Sequence, residues 1–154
     1  MKWTLFILLL LSLLACKEDE VSIPVSHPAL MEIPDGFPSI DFPEENTFTQ
    51  ARWELGKKLF YDPVMSVDGT ISCASCHKPG LAFSDQSPVS FGVDDRLGTR
   101  NAPSLANVAY HPYFLREGGV PTLEMQVLVP IQEHNEFDFN IVLLAERLNN
   151  DTSY

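Results

Sequence analysis

The stretch Cys73-Ala74-Ser75-Cys76-His77 decides the fold, because it is a C-x-x-C-H run in a chain that holds only three cysteines. Two thiols three positions apart can each add to one vinyl group of a porphyrin, and the adjacent imidazole then lies beneath the iron. In an exported chain this pattern is typical of covalent haem attachment. The sequence therefore predicts one haem c, bonded by Cys73 and Cys76, with His77 as a ligand of the haem iron.

Other roles for this run need features that the sequence lacks. A structural zinc site needs a second pair of Cys or His ligands, and the one remaining cysteine, Cys16, lies in a different segment. A thioredoxin-like redox pair starts a helix after a buried strand, whereas residues 66–70 are typical of a turn. A plain disulfide would leave His77 without a role. The redox pair and the disulfide are the alternatives to haem.

The N-terminus has the pattern of an export signal. One charged residue, Lys2, precedes an apolar run from Leu5 to Leu14, which is short for a membrane span and typical of a signal-peptide core. The following Ala15-Cys16 completes a sequence that resembles a bacterial lipobox, although an ordinary signal peptide with an unrelated cysteine is the alternative. We therefore expect a lipoprotein signal peptide over 1–15, lipidation of Cys16, and a location in the bacterial periplasm or at the outer membrane.

Composition and charge further limit the fold class and the kinds of partner that the protein can have. The 154 residues are 45% hydrophobic and 20% charged, which suits one globular domain. A formal net charge of -11 argues against nucleic acid as a partner, because that affinity comes from Lys and Arg displacing counterions. Twelve prolines and eight glycines predict short helices joined by irregular connections, so all-β and coiled-coil folds fit poorly.

Apolar periodicity predicts three helices. The first spans 47–61, with Thr47 and Gln50 as a capping box and Asp62-Pro63 as its stop. The second starts near Thr122 and ends by Pro130, and the third begins near Asn140. The long irregular centre between the first two points to a large buried ligand. We expect a mainly α, cytochrome c-like haem domain with long irregular loops over 42–154, preceded by an acidic, proline-containing tether over 16–41.

The axial ligands of the haem separate two functions. Two strong protein ligands would make an electron carrier, whereas an open position lets the iron bind and activate a small molecule such as peroxide. The candidates for a second ligand are Met65, His111, Met125 and His134. No neighbouring residue distinguishes among them, so the spacing alone leaves both functions open.

A series of segments in order resembles the N-terminal part of the bacterial dihaem cytochrome c peroxidase and MauG family. The segments are Leu55-Gly56-Lys57-Lys58-Leu59-Phe60 with Asp62-Pro63, Ile71 to His77, Phe83-Ser84-Asp85, Arg100 to Leu105 with Asn107, Gly118-Gly119, Leu123-Glu124-Met125-Gln126 and Pro130-Ile131. Each segment is weak alone, but together and in order they are specific. They extend from about Leu55 to Asn140.

The resemblance implies roles for particular residues. Glu124 would be the distal carboxylate that moves a proton between the two oxygens of peroxide, and Gln126 would help to orient the peroxide. Arg100 would pair with a haem propionate, and Asn101 would be a ligand of a calcium ion between two domains. Family members carry a second haem domain with its own C-x-x-C-H, which is missing here, so the resemblance implies an incomplete chain.

Two departures from the family pattern bear on activity. The classical peroxidases have a histidine that blocks the resting haem, and this chain has none between His77 and His111. An iron that is open without prior reduction is therefore expected, as in MauG-type members. Where many members have a Trp-Asp-Gly segment that relays electrons, this chain has Leu115-Arg116-Glu117-Gly118.

The resulting expectation is a c-type haem oxidoreductase that reduces hydrogen peroxide to water with electrons from a small cytochrome c or copper protein. One alternative is a MauG-type enzyme that oxidises a protein side chain. Another is a single-haem electron carrier without turnover. The resemblance also leaves a homodimer open.

Overall fold

The computed structural model describes residues 31–154, which form a mainly helical domain. Its α-helices are α1 (Gln50–Tyr61), α2 (Cys73–Cys76), α3 (Leu123–Gln132) and α4 (Ile141–Asn150). Short 3-10 turns occur at Glu44–Asn46, Pro63–Met65, Pro79–Leu81, Val93–Asp95 and Val108–Tyr110. The predicted mainly α fold with a long irregular centre is confirmed. The predicted signal peptide and the lipidation site Cys16 lie outside the described residues.

Helix α1 begins two to three residues later than predicted. Thr49 is its N-cap, with Oγ1 accepting a hydrogen bond from the Arg52 amide at 3.2 Å. The predicted cap at Thr47 is wrong, because the Thr47 carbonyl instead accepts from the Arg52 guanidinium at 2.8 Å. The predicted stop is confirmed: Asp62 ends the helix, and its carboxylate accepts from the Val64 amide.

Helix α3 has the predicted start, since Thr122 is its N-cap and accepts from the Met125 amide at 3.2 Å. The predicted end at Pro130 is wrong, because the helix continues through Pro130 to Gln132. Pro130 has no N–H to donate within the helix, and the chain after Gln132 turns back onto the last turn of α3. The Phe137 amide donates to the Pro130 carbonyl, and the Phe139 amide donates to the Ile131 carbonyl at 2.8 Å.

Helix α4 begins after Asn140, as predicted, because Asn140 Oδ1 accepts from the amides of Val142 and Leu143. The core cluster lies between α3, α4 and the turn after α1, and comprises Met65, Ile131, Phe137, Phe139 and Leu144. Cys73 packs against this cluster, so the core positions the C-x-x-C-H turn.

Arg147 on α4 joins that helix to the turn after α1. Its guanidinium donates to the carbonyls of Val64 at 2.8 Å and Ser66 at 2.9 Å, and it lies 4.0 Å from the centre of the Phe139 ring. These bonds satisfy carbonyls that a turn would otherwise leave without partners. The segment leading to α2 is therefore anchored to α4.

Backbone bridges close the loops between α2 and α3 one after another. They pair Lys78 with Ser84, Phe91 with Leu97, and Phe114 with Val120. No longer β-ladder occurs within residues 31–154. None of the helices described for this part of the chain has the length and hydropathy that a membrane crossing requires.

Candidate haem-binding site

The C-x-x-C-H run forms a single helical turn, α2. At the start of the turn, the Ser75 hydroxyl accepts a hydrogen bond from the Ser72 amide at 3.0 Å. At its end, the His77 amide donates to the Cys73 carbonyl at 2.9 Å. Cys73 and Cys76 are both free thiols. Because they stand at i and i+3 of a helical turn, the two thiols share one face, which is the arrangement that two thioether bonds to a porphyrin require.

His77 is oriented by the loop that follows it. Its Nδ1 lies 2.9 Å from the carbonyl oxygen of Phe83. A carbonyl oxygen can only accept, so Nδ1 is the donor, and Nε2 of the neutral ring is left as a lone-pair nitrogen. Histidine ligands of metals are commonly fixed in this way through their second nitrogen. The contact therefore leaves Nε2 available to bind a metal, and the role of His77 as an iron ligand stays a prediction.

The position of the Phe83 carbonyl depends on an unusual backbone. Ala82 and Phe83 both lie in the left-handed region, at φ of 54° and 58°, which is uncommon for residues other than glycine. The loop is secured by the Ser84 hydroxyl, which donates to the Ala102 carbonyl at 2.8 Å, and by the Ser84 carbonyl, which accepts from the Lys78 amide. The surrounding bonds therefore hold a conformation that aims a carbonyl at His77.

The protonation of the thiols argues against the redox-pair alternative. Burial raises the pKa of Cys73 to about 11 and also raises the pKa of Cys76. Redox-active cysteine pairs react as thiolates and depend on a lowered pKa. The two thiols are therefore poorly suited to thiol–disulfide exchange.

The surface near the thiols and along α3 fits a large apolar group. Several big apolar side chains of the described residues are exposed, among them Phe91, Leu97, Leu123, Met125, Val127 and Leu128. The carbonyl of Phe91 lies 3.8 Å from the Cys76 sulfur, which places Phe91 beside a predicted attachment point. Within the same part of the chain, the buried Gln126 Oε1 lacks a hydrogen-bond partner. Exposed apolar surface and a buried orphan acceptor both indicate a ligand, and a haem fits them.

The candidates for a second axial ligand fall into two groups. Met65 is 5% exposed and packs within the core cluster, and His134 is held by Arg96 and Asp138, so both have structural partners. Met125 and His111 are exposed. Met65 and His134 therefore already have partners within the protein, whereas neither Met125 nor His111 belongs to the core cluster.

Glu124 and Gln126 do not share a face of α3. Glu124 is exposed in the first turn, where its Oε1 accepts from Asn46 Nδ2 at 2.9 Å. The hydrogen bond from Asn46 lowers the pKa of Glu124, helped by the helix N-terminus, where a negative charge is favourable. Gln126 is half-buried on the other side, as positions i and i+2 require. No hydrogen bond of the described residues joins the two side chains.

Arg100 and Asn101 contact the turn at 115–118. Arg100 forms an ion pair with Glu117, and Asn101 Oδ1 accepts from the Arg116 guanidinium. A guanidinium on Asn101 Oδ1 competes with any cation there. In addition, no group of three or more His, Cys, Asp or Glu side chains within residues 31–154 is placed to hold a metal ion. The roles of Arg100 toward a propionate and of Asn101 toward calcium stay predictions.

Two residues of the site had no role predicted from the sequence. Phe83 was noted only within a family-like segment, and its carbonyl orients His77. Asn46 contacts Glu124 across 78 positions of sequence. No local pattern identifies either contact, because the first depends on the left-handed backbone at Ala82 and Phe83 and the second on how distant segments pack.

Two thiols on one helical turn, an oriented imidazole and an exposed apolar surface define a haem domain of the cytochrome c type. The sequence profile of the di-haem cytochrome c peroxidase family matches residues 50–154. The chain therefore belongs to that family, which confirms the resemblance.

Relatives agree with this assignment. The chain is 36% identical over 110 residues to the methylamine utilization protein MauG of Methylorubrum extorquens, covering 71% of this chain and 31% of that protein. It is 34% identical over 101 residues to the cytochrome c551 peroxidase of Pseudomonas aeruginosa, covering 66% and 29%. The chain thus spans about a third of the length of the curated relatives it matches.

Solved structures share the fold. A MauG-like protein associated with microbial copper homeostasis superposes with a TM-score of 0.72 at 32% identity, over 80% of this chain and 37% of that one. The diheme peroxidase BthA of Burkholderia thailandensis superposes with a TM-score of 0.61 at 28% identity, over 74% and 33%. The cytochrome c-like fold class is confirmed by these similarities.

Proposed function

We propose that this chain is the peroxide-reacting haem domain of a cytochrome c peroxidase, which reduces hydrogen peroxide to water with electrons from a small cytochrome c or copper protein. The observation that carries the proposal is the orientation of His77 by the Phe83 carbonyl; Glu124, whose pKa is lowered, lies on α3, the helix whose apolar side chains are exposed. Membership of the di-haem cytochrome c peroxidase family supports it.

The residues of this chain would hold the cofactor from one side. Cys73 and Cys76 would bond the porphyrin, and His77 would bind the iron through Nε2, because Nδ1 is engaged by the Phe83 carbonyl. When bound, haem supplies the iron that takes peroxide and the electrons that reduce it. The redox chemistry belongs to the cofactor, and the chain contributes attachment, orientation and proton transfer.

Proton transfer is assigned to Glu124. Cleavage of the O–O bond to give water requires a proton to move from the near oxygen of peroxide to the far one. The lowered pKa of Glu124 keeps the carboxylate ionised and ready to accept that proton. Gln126 presents a buried carbonyl oxygen without a partner, which can accept a hydrogen bond from peroxide and orient it.

A second candidate function is the oxidation of a protein side chain, as in MauG-type enzymes. The absence of a histidine between His77 and His111 and the similarity to MauG of Methylorubrum extorquens both favour it. In that case the haem would still supply the redox chemistry and Glu124 the proton transfer, and the reducing substrate would be a protein. Turnover with peroxide and a small redox donor separates the two candidates.

The proposal includes a cellular setting. Export through the segment 1–15 and lipidation at Cys16 would place the protein at a membrane surface in the periplasm or at the outer membrane, with 16–41 as a tether. A second haem c, carried by a further domain of the full-length protein, would feed electrons to this one. Calcium at Asn101 and a homodimer stay predictions outside this proposal; Asn101 Oδ1 accepts from the Arg116 guanidinium.

The test compares wild type with Glu124→Gln in the haem-loaded, full-length protein. Loss of a general acid–base group predicts peroxide consumption slower by about 100-fold or more, with haem content unchanged. Glu146→Gln, an exposed glutamate on α4, is the matched control and should be like wild type. Equal turnover of Glu124→Gln would contradict the proposal. A low-spin electron paramagnetic resonance signal that ignores peroxide would favour the electron carrier.

A further inference from the structure

A line of aromatic rings connects the loop that orients His77 with the end of α1. Phe83 presents its carbonyl oxygen to His77 Nδ1 at 2.9 Å, and its ring centre lies 6.1 Å from that of Phe60 at an angle of 74°. The Phe60 ring in turn lies 5.2 Å from the Tyr61 ring at 73°. Both contacts have the edge-to-face geometry of packed aromatic pairs. Consecutive ring contacts therefore lead from the residue that orients His77 to Tyr61.

The outer end of this line reaches the protein surface. Tyr61 is the last residue of α1 and is 50% exposed, whereas Phe60 and Phe83 are half-buried. Asp62 ends the helix directly after Tyr61, so the tyrosine lies at a fixed place beside the turn that follows. One end of the line is therefore in contact with water, and the other end contacts the predicted iron ligand.

Two other aromatic side chains near α1 are less suited to losing an electron. Lys57 Nζ lies 5.0 Å from the centre of the Trp53 ring, and Lys58 Nζ lies 3.8 Å from that of Tyr154. A positive charge over a ring interacts favourably with the ring electrons and opposes the removal of one of them. Among residues 31–154, no such cation–ring contact involves Tyr61. Tyr61 is therefore the more readily oxidised ring in this region.

The segment at 115–118 offers no aromatic alternative. It reads Leu115-Arg116-Glu117-Gly118 where many family members have an electron-relaying tryptophan. Arg116 instead donates to Asn101 Oδ1. The ring contacts through Phe60 are therefore the candidate route for electrons between the surface and His77 in this chain.

We propose that Tyr61 is a redox-active residue that gives an electron to the haem centre through Phe60 and Phe83, so that the end of α1 is where a one-electron donor delivers electrons. This inference rests on the proposed reaction with peroxide. Reduction of hydrogen peroxide to two waters takes two electrons and two protons, and Tyr61 replaces one of the electrons that the haem centre has supplied. Its hydroxyl proton passes to water, which leaves a neutral phenoxyl radical. The donor's electron and a proton from water restore the phenol.

The test is a radical measurement on the oxidised, haem-loaded, full-length protein. Hydrogen peroxide is added without a donor, and the sample is frozen for electron paramagnetic resonance. Wild type should give a tyrosyl radical signal, which ring-deuterated tyrosine narrows. Tyr61→Phe should lose this signal, because phenylalanine keeps the ring but has no hydroxyl proton to release. In a parallel sample with a spin trap, peptide mass spectrometry should find the adduct on residue 61.

Two further variants separate the route from general damage. Tyr113→Phe is the matched control, since Tyr113 is 63% exposed and forms no ring pair among residues 31–154. This variant should keep the signal and the adduct. Phe60→Leu keeps an apolar side chain but removes the middle ring, so it should give less radical at Tyr61. Covalent haem content equal to that of wild type shows that Phe60→Leu is folded, and if it is not folded, Tyr61→Phe and the adduct decide.

The outcomes distinguish this inference from the function on which it rests. Normal peroxide consumption by wild type without a tyrosyl signal, or with a signal and adduct that Tyr61→Phe leaves unchanged, would overturn the role of Tyr61 and leave the proposed function standing. A folded Phe60→Leu protein with the radical yield of wild type would overturn the route through Phe60. A wild-type protein that does not consume peroxide would overturn both the proposed function and this inference.

Discussion

His77 Nδ1 lies 2.9 Å from the carbonyl oxygen of Phe83, and this contact sets the direction of the imidazole ring. The carbonyl belongs to a loop, residues 78–84, that follows the C-x-x-C-H turn directly and contains two residues in the left-handed region, Ala82 and Phe83. The imidazole ring is therefore oriented by backbone that is itself held by hydrogen bonds. A ligand oriented in this way needs little rearrangement when the cofactor binds.

The first prediction concerns covalent attachment. The double variant Cys73→Ser/Cys76→Ser should lose all covalently bound haem, because no thiol of the motif remains to form a thioether. Mass spectrometry and haem absorbance after denaturation measure this directly. Cys16→Ser is the control and should keep its haem, since Cys16 lies outside the C-x-x-C-H run. Haem that stays bonded in the double variant would refute the assignment of these two thiols.

The second prediction concerns two glycines. A Cβ at Gly92 would lie 2.1 Å from the Asn135 carbonyl oxygen and 2.7 Å from the Glu136 Cα, and backbone atoms cannot move aside cheaply. We expect Gly92→Ala to lower the free energy of unfolding by about 3 kcal/mol. At Gly56, within α1, a Cβ meets no atom within 4 Å. Gly56→Ala should therefore raise the free energy of unfolding by about 0.5–1 kcal/mol.

Urea unfolding of the haem-loaded variants measures both changes. The two substitutions add the same methyl group, so the comparison isolates the effect of the surroundings. A Gly92→Ala protein as stable as wild type would show that the loop at residue 92 does not pack against residues 135–136 in solution.

The third prediction is a pH dependence. Arg96 donates to Asp138 at 2.8 Å, and this bond, together with His134, lowers the pKa of Asp138 below the ordinary value of 3.8. A carboxylate with a lowered pKa stabilises the folded state above its unfolded pKa, and the stabilisation is lost as pH falls through the folded pKa. Asp138→Asn should therefore have a lower Tm than wild type at neutral pH, and the difference should shrink under acid.

Thermal unfolding followed between about pH 3 and pH 7 measures this difference. Asn suits the position because Asp138 has a φ of 50°, and Asn tolerates the left-handed region. Asp95→Asn is the control, since Asp95 has a φ of 54° and no ion pair among those of the described residues. A Tm difference for Asp138→Asn that is constant with pH would exclude an ionic origin.

The sequence by itself determined the features that depend on a few neighbouring residues. The C-x-x-C-H spacing identifies the haem turn, Thr122 and Asn140 identify two helix starts, and Asp62 with Pro63 identifies a helix end. Each of these is a local matter, because a cap or a thiol pair is defined by hydrogen bonds and spacings within one turn.

Only the tertiary structure decided the features that depend on distant partners. The Arg52 guanidinium binds the Thr47 carbonyl while the helix cap lies at Thr49, and α3 continues through Pro130 to Gln132. Packing also brings Asn46 to Glu124, a contact across 78 positions. Periodicity and spacing carry no information about such pairs, since a side chain meets a distant partner only after the elements between them have packed.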